Sequence, residues 1–250
     1  MIPKVIHYCW FGRNPLPADS KKYIESWRKH MPDYEIKEWN EDNFDINIIP
    51  YTKEAYENKK YAFVSDYARF WILYNYGGIY FDTDVEVIKP LDDIVVKGPF
   101  MGCEKKVDKS AKDKSAKDIG VAPGLCLGAT PGIGLYKEIL DNYKDIHFVN
   151  PDGTLNKKTV VAYTTETLVK YGLKYTDKIQ ECAGVWIYPK EYFSPLDYNT
   201  RKMVITPNSR SIHHYSASWV TKSEKFKIWL GKIIGKKLTK TIIKIKSFFK

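Results

Sequence analysis

The sequence lacks the features of a membrane-spanning or secreted protein. It has no uninterrupted apolar run of about 18 residues, the length that a transmembrane helix requires. The N-terminus, MIPKVIHYCWFG, has no basic segment, no long apolar segment and no cleavage site of small residues, so we expect no signal peptide. Cysteine is scarce, and none of the four cysteines forms a C-x-x-C pair. This pattern favours reduced, buried thiols in a cytosolic protein.

Acidic residues are almost missing from the C-terminal part. Residues 220–250 contain ten lysines and one glutamate, which accounts for +9 of the formal net charge of +10. The rest of the chain therefore carries only +1. A nearly neutral body argues against a protein whose main surface binds nucleic acid.

The remaining composition is that of one α/β domain. The chain has 250 residues, of which 44% are hydrophobic and 15% aromatic, a globular rather than a disordered composition. Apolar patterns predict strands over 4–11 and 34–39 and helices over 18–29 and 61–76, the last ended by Gly77. This alternation favours a largely parallel sheet with helices on both faces.

The stretch GGIYFDTDVEV, residues 77–87, places two carboxylates in a strand-like run. Alternation along a strand would direct Asp82 and Asp84 to the same side, at the sheet edge where ligands bind. Two like charges this close repel unless a cation lies near them, and Mg²⁺ or Mn²⁺ suits oxygen ligands and phosphate. The alternative is a strand end that bends into a turn, with Asp84 capping backbone amides.

The preceding helix carries Asp66 and Arg69, three residues apart and therefore on one face. One interpretation is that they form an ordinary surface salt pair. In the functional interpretation both point to the edge that holds the two carboxylates. There Arg69 would bind an anion or a hydroxyl, and Asp66 would accept hydrogen bonds from hydroxyls.

Taken together, AFVSDYARFWILYNYGGIYFDTDVEV resembles the signature of the D-x-D sugar transferases of glycosyltransferase family 32. The shared pattern is S-D-x-x-R, an apolar helix, G-G-x-Y and D-x-D. The opening IPKVIHYCWFG and the closing IHHYSASW match as well, so the resemblance covers roughly residues 2–219. The matching positions of the central signature are Ser65, Asp66, Arg69, Gly77, Gly78, Tyr80, Asp82 and Asp84.

The resemblance implies a GT-A-like nucleotide-diphospho-sugar transferase fold in residues 1–220, with a mixed, mainly parallel sheet flanked by helices. It implies a metal-dependent, retaining hexosyltransferase that uses Mn²⁺ or Mg²⁺ and a nucleotide-sugar, with a UDP-sugar favoured. The expected acceptor is a saccharide, in particular a lipid-linked oligosaccharide of surface polysaccharide or capsule synthesis.

The resemblance also implies residue roles. The catalytic residues would be Asp66, Arg69, Asp82 and Asp84, with Asp82 and Asp84 at the metal. His213 or His214 would add a metal ligand; neighbours in an extended segment face opposite ways, so we expect only one to do so and favour His213. The implied donor-binding residues are Trp10, which would stack on the base, and Phe11, Gly12, Ser65, Asp66, Arg69, Tyr80, Asp82, Ser218 and Trp219.

Two mechanisms could retain the configuration at the anomeric carbon, and the residues do not decide between them. A double displacement needs a nucleophilic carboxylate on the far face of the sugar. The family resemblance suggests instead a front-face substitution in which the leaving phosphate deprotonates the acceptor. Candidate nucleophiles, by residue type alone, are Glu104, Asp118, Asp177 and Glu181.

Residues 221–250 predict a basic amphipathic helix, because apolar residues recur at helical spacing with lysines between them. We expect this tail to lie on an anionic membrane surface, which would make the protein cytoplasmic and peripheral on the inner face of the cell membrane. The alternative is a terminal helix packed on the body.

Two other function classes remain. One is a non-catalytic carbohydrate- or nucleotide-binding module on the same fold, which turnover with metal would separate from an enzyme. The other is a membrane- or nucleic-acid-binding adaptor driven by the tail, although the nearly neutral body disfavours nucleic acid as a partner.

Overall fold

A computed structural model describes residues 1–105 and 115–216, and Met1–Tyr215 form one compact unit. The predicted domain boundary at 220/221, the tail helix and the candidates Ser218 and Trp219 lie outside the described residues. They therefore remain predictions.

The described residues form two sheets. Their strands are β1 (Val5–Cys9), β2 (Glu35–Trp39), β3 (Gly78–Tyr80), β4 (Val85–Val87), β5 (Phe100–Gly102), β6 (Leu127–Ala129), β7 (Gln180–Cys182), β8 (Val185–Tyr188) and β9 (Ser211–His213).

The main sheet has seven strands in the order β2-β1-β3-β6-β5-β8-β7. Strand β1 pairs in parallel with β2 and β3, and β5 pairs in parallel with β8. Strands β6 and β7 run against their neighbours. Five of the seven strands thus share one direction, and the predicted α/β class with a mixed, mainly parallel sheet flanked by helices is confirmed.

Helices connect most of the strands. They are α1 (Ala18–His30), α2 (Pro50–Glu57), α3 (Tyr61–Tyr76), α4 (Asp92–Val95), α5 (Gly134–Asp141), α6 (Val160–Lys170) and α7 (Lys190–Phe193). Both predicted helices are present, and Gly77 ends α3 with φ +66 and its amide on the Leu73 carbonyl. Among the described helices, none has the length and apolarity to cross a bilayer.

The core occupies both faces of the main sheet. Alternation along the chain sends Ile79 and Phe81 into one apolar cluster, which contains Trp27 of α1, and Tyr80 into the other, which contains Tyr136 of α5. The four cysteines are free and buried. The site described below therefore stands on strands whose two faces are both packed.

The sequence pattern predicts that the carboxylate motif lies within one strand. In the structure it lies instead between two strands. Strand β3 ends at Tyr80, and the Val85 amide donates to the Asp82 carbonyl at 3.0 Å, which closes a turn. Strand β4 then leaves the main sheet and pairs antiparallel with β9, with Val85 opposite His213. The turn thereby joins two motifs that lie far apart in the sequence.

Candidate active site and metal centre

The β4–β9 pair brings the closing histidines to the turn that carries the carboxylates. His213 Nε2 lies 2.9 Å from Asp84 Oδ1, and the His214 amide donates to the Asp84 carbonyl at 2.9 Å. One side-chain donor atom from each of Asp82, Asp84 and His213 lies within 4.8 Å of the other two. The turn, rather than alternation along a strand, makes the carboxylates converge, so a turn at this position does not separate them.

These three residues fit a hard divalent cation. Two carboxylates and an imidazole are ligands that Mn²⁺ accepts, and the carboxylates suit Mg²⁺. Burial alone lowers the pKa of His213, but the charge and hydrogen bond of Asp84, with a smaller contribution from Asp82, outweigh burial and raise it. The His213 Nδ1 atom is buried without a hydrogen-bond partner in the described part of the chain. A pocket that favours the charged imidazole has a negative potential, which would also attract a cation.

His214 lies outside this cluster. Its Nε2 atom is 2.8 Å from Glu86 Oε2, and its ring stacks on Tyr23 with centroids 4.5 Å apart and an interplanar angle of 8°. Of the two histidines considered from the sequence, the structure brings His213 to the carboxylates. The sequence pattern does not show that Glu86 and Tyr23 are partners of His214, because Tyr23 is on α1 and only the fold brings it near.

Arg69 is buried beneath the carboxylates. Its Nη2 atom lies 3.0 Å from Asp66 Oδ1 and 3.3 Å from Asp82 Oδ1, and its Nε–H donates to the Ser65 carbonyl at 3.0 Å. The guanidinium also lies over the Tyr80 ring, 5.0 Å from the centroid. The Arg69 side chain is only 4% exposed, which excludes the ordinary surface salt pair. Its position makes it a fixed cation at the sheet edge.

The carboxylates around Arg69 are held in a desolvated environment. Burial raises the pKa of Asp66 to about 6, and the nearby Arg69 charge opposes that rise. Burial also raises the pKa of Asp82, again against the effect of Arg69. The Tyr80 hydroxyl donates to Asp82 Oδ1 at 3.1 Å. With Asp84, three carboxylates here outnumber the one guanidinium, so the site has room for further positive charge.

Gly124 also lies at the site, although it is not among the residues predicted from the sequence. Its carbonyl accepts the Asp82 amide at 3.1 Å. A Cβ atom at this position would lie 1.9 Å from Asp82 Oδ2 and 3.1 Å from Arg69 Nη1. The backbone at Gly124 therefore forms one wall of the site. The run of small residues around it was the available signal, but composition does not show which glycine makes the contact.

The N-terminal donor-binding candidates have different environments. Trp10 is half-buried, and its Nε1–H donates to the Asn14 carbonyl at 2.6 Å, so part of the ring stays accessible. Phe11 lies in the core, edge-on to Phe44 with ring centroids 5.7 Å apart. The Trp10 ring is thus partly accessible, whereas the Phe11 side chain supports the strand end from inside.

Gly12 and Ser65 both contact Tyr61, the first residue of α3. A Cβ at Gly12, where φ is +99, would lie 2.3 Å from the Tyr61 ring, and the Gly12 amide donates to Glu41 Oε1 at 2.5 Å. The Ser65 hydroxyl donates to the Tyr61 carbonyl at 3.2 Å. These contacts anchor the loop after β1 to the start of α3, which carries Asp66 and Arg69.

One of the four candidate nucleophiles, Glu104, is close enough to His213 for its charge to affect that histidine. The charge of Glu104 contributes to raising the pKa of His213, and burial raises the pKa of Glu104 itself. Glu104 also lines a cleft of about 320 Å³ with Thr159 and Thr165. The other three candidates are Asp118 in the 3₁₀ turn Ala116–Ile119, Asp177 on the exposed segment before β7, and Glu181 on edge strand β7.

Comparisons with known proteins agree with the motif. Residues 17–101 match the model of the glycosyltransferase sugar-binding region containing a DXD motif, which confirms the resemblance to D-x-D sugar transferases. An uncharacterized glycosyltransferase, L373, of Acanthamoeba polyphaga mimivirus is 36% identical over 111 residues, or 42% of this chain and 44% of that protein. Inositol phosphoceramide mannosyltransferase 1 of Schizosaccharomyces pombe is 32% identical over 111 residues, or 40% of this chain and 33% of that protein.

Among solved structures, the PaToxG glycosyltransferase aligns with a TM-score of 0.47 and 19% identity, over 68% of this chain and 69% of that one. The matched stretch spans less than half the length of either of the two relatives compared by sequence.

Proposed function

We propose that this chain, whose residues 17–101 carry the glycosyltransferase sugar-binding region containing a DXD motif, is a metal-dependent, retaining hexosyltransferase. The observation that carries the proposal is the cluster of Asp82, Asp84 and His213 beside the buried Arg69. The donor would be a nucleoside-diphosphate sugar, with UDP favoured, and the acceptor a saccharide. Asp82, Asp84 and His213 would hold Mn²⁺ or Mg²⁺.

The chain's own residues would serve the donor as follows. When bound, the cation would stabilise the negative charge that develops on the departing diphosphate. Arg69 adds a positive charge fixed by Asp66 and Asp82, so no reorganisation is needed when the bond breaks. Asp66 would also accept hydrogen bonds from donor hydroxyls. The accessible part of the Trp10 ring would stack on the base.

Two routes to retention are compatible with this proposal. In a front-face substitution the leaving phosphate takes the acceptor proton, and no protein nucleophile is required. In a double displacement Glu104 is the carboxylate to consider, because its charge acts on His213. The resemblance favours the first route.

We further propose a lipid-linked acceptor, such as an oligosaccharide intermediate of surface polysaccharide or capsule synthesis. A relative named for mannosyl transfer to inositol phosphoceramide supports a lipid acceptor and makes mannose one of the first sugars to test. The lysine-rich residues 221–250 would hold the protein on the inner face of the cell membrane.

The test is a screen of nucleotide-sugars for slow hydrolysis and transfer with Mn²⁺, with Mg²⁺ and with chelator. We expect turnover only with metal, and Asp84→Asn should lose several orders of magnitude in rate while its circular dichroism stays unchanged. Glu86→Gln is the matched control, since Glu86 pairs with His214 outside the cluster. It should keep most of the activity.

Two results would count against the proposal. Undiminished turnover in chelator would overturn the metal dependence. Tight nucleotide-sugar binding without turnover, with any metal and acceptor, would favour the non-catalytic module instead.

A further inference from the structure

Residues 195–205, the 195–205 hairpin, form an ordered loop built around Asp197. The Asp197 amide donates to the Lys202 carbonyl at 2.8 Å, and its Oδ1 atom accepts the amides of Asn199 and Thr200 at 3.1 and 2.9 Å. Hydrogen bonds from the Thr200 amide and hydroxyl lower the pKa of Asp197 to about 2. The hairpin is therefore fixed by its own hydrogen bonds and does not need a partner to take this shape.

The 195–205 hairpin exposes several apolar side chains. Eight large apolar side chains are exposed among the described residues, and half of them lie in this one stretch: Tyr198, Met203, Val204 and Ile205 are 46%, 41%, 54% and 55% exposed. Single exposed apolar side chains need no explanation, but several in one ordered loop, three of them consecutive, mark an interaction surface.

The hairpin adjoins the candidate metal centre. The Tyr198 ring packs edge-on against Tyr215 with centroids 5.3 Å apart, and Tyr215 contacts the His213 ring at 4.2 Å. Arg201 Nη2–H donates to the His214 carbonyl at 3.1 Å. One aromatic ring thus separates the apolar surface from a proposed metal ligand.

We propose that the 195–205 hairpin inserts its exposed apolar side chains into an anionic lipid surface and so holds the active site over a lipid-linked acceptor. Arg201 and Lys202 are exposed cations within the same hairpin, which gives a charge match to anionic headgroups. Aliphatic side chains beside a tyrosine and cations are the combination that settles at a membrane interface. The acceptor part of this inference rests on the proposed function, whereas insertion into lipid can be measured without turnover.

A site-specific dye tests insertion directly. The four native cysteines are buried, so a single new cysteine can be labelled with an environment-sensitive fluorophore. Full-length Val204→Cys should show a blue shift and quenching by brominated lipid on vesicles of phosphatidylglycerol and phosphatidylcholine. Val96→Cys is the matched control, because Val96 is 81% exposed and follows α4 outside the hairpin. A label at 204 that responds to vesicles no more than the label at 96 overturns the proposal.

A second experiment measures the contribution to binding. Val204→Asp combined with Ile205→Asp should lower vesicle partitioning by at least about tenfold, since two partly exposed aliphatic side chains would lose their burial in lipid. Val96→Asp should leave partitioning unchanged. Equal partitioning of the double variant and the wild type would contradict the proposal.

Three further readouts separate this inference from its rivals. Donor hydrolysis in solution should be unchanged in the double variant, and transfer to a lipid-linked acceptor should fall. If the wild type is a dimer without lipid and the double variant is a monomer, a second copy covers the hairpin and the lipid proposal is wrong. If the dye at 204 is already blue-shifted without vesicles in a monomer, the chain itself covers this surface, which equally overturns it.

Discussion

At the scale of single residues, the site depends on a backbone contact that leaves no room for a methyl group. Gly124→Ala would place a Cβ 1.9 Å from Asp82 Oδ2, so either the carboxylate or the 122–125 segment must move. A displacement of this size in a positioned group costs about a hundredfold in rate, and we expect a loss of that order in metal-dependent turnover. Steady-state kinetics with the donor that the screen identifies would measure it.

Gly134→Ala is the control for that prediction. Gly134 begins α5, and a Cβ there would meet nothing within 4 Å. Its activity should equal that of the wild type, and its stability should rise by up to about 1 kcal/mol because alanine favours helix. Full activity in Gly124→Ala would show that the backbone at Gly124 can move without affecting turnover, which would contradict the prediction.

The buried His7 makes the free energy of unfolding depend on pH. It is buried, its Nδ1 accepts from Trp39 Nε1 at 3.0 Å and its Nε2 meets the Gly77 carbonyl at 3.0 Å, so the neutral ring is required. Burial lowers the pKa of His7 to about 4. An unfolded chain therefore binds a proton here that the folded chain does not, between pH 6.5 and about 4.

We predict that this group makes the protein less stable as the pH falls through that window, by about 3 kcal/mol in total. Other titrating groups act in the same range; Asp66, with its raised pKa, has the opposite sign. The contributions of these other groups cancel when the wild type is compared with His7→Gln, because both proteins contain them. Urea unfolding at several pH values should show a shallower acid slope for His7→Gln, and identical slopes would contradict the assignment.

At the scale of elements, helix α1 holds the strand that follows the carboxylate turn. Trp27 Nε1–H donates to the Val85 carbonyl at 2.7 Å, and the Val87 amide donates to the Ser26 hydroxyl at 2.9 Å. Trp27 is fully buried and packs on Phe81. The position of β4, and with it the spacing of Asp84 and His213, is thus fixed from outside the main sheet.

Trp27→Phe should therefore affect both stability and the site. The buried Val85 carbonyl would lose its donor, at a cost of about 1–3 kcal/mol in the free energy of unfolding. Trp186→Phe is the control, because the Trp186 Nε1–H bonds the Lys97 carbonyl where water can replace it, and it should stay within about 0.5 kcal/mol. Urea titration measures the free energy of unfolding of both variants. Equal destabilisation by the two would contradict the role of Trp27 in holding β4.

At the scale of the whole molecule, the charge is concentrated in the last part of the sequence. Residues 220–250 carry +9 of the net +10. Each lysine near an anionic surface adds about 1 kcal/mol of binding free energy, an effect that salt weakens. Changing five tail lysines to glutamine should therefore reduce binding to anionic vesicles by at least about a thousandfold at low salt, while donor hydrolysis survives. The five are Lys236, Lys237, Lys240, Lys244 and Lys246.

Co-sedimentation at low and high salt checks this prediction. The matched control changes five exposed lysines of the body to glutamine, namely Lys22, Lys53, Lys59, Lys157 and Lys178, and should retain most of the binding. Full-length wild type that stays in the supernatant with anionic vesicles at low salt would remove the membrane role of the tail.

The sequence by itself determined the parts of this protein that follow from local pattern. Helix α3, its stop at Gly77 and the shared face of Asp66 and Arg69 depend on residues within a few turns of one another. Periodicity and capping report such short-range geometry directly. The alternation of strands and helices along the chain is equally visible in the sequence, and it predicts the α/β class.

Only the tertiary structure decided how the carboxylates meet their partners. The turn at Asp82, the departure of β4 from the main sheet and the selection of His213 over His214 all depend on pairing with β9, whose residues lie more than a hundred positions further along the chain. The close approach of Gly124 to Asp82 is likewise a contact between distant segments. A local pattern carries no record of which distant backbone will pack against it, because that is settled by the burial of both faces of the sheet at once.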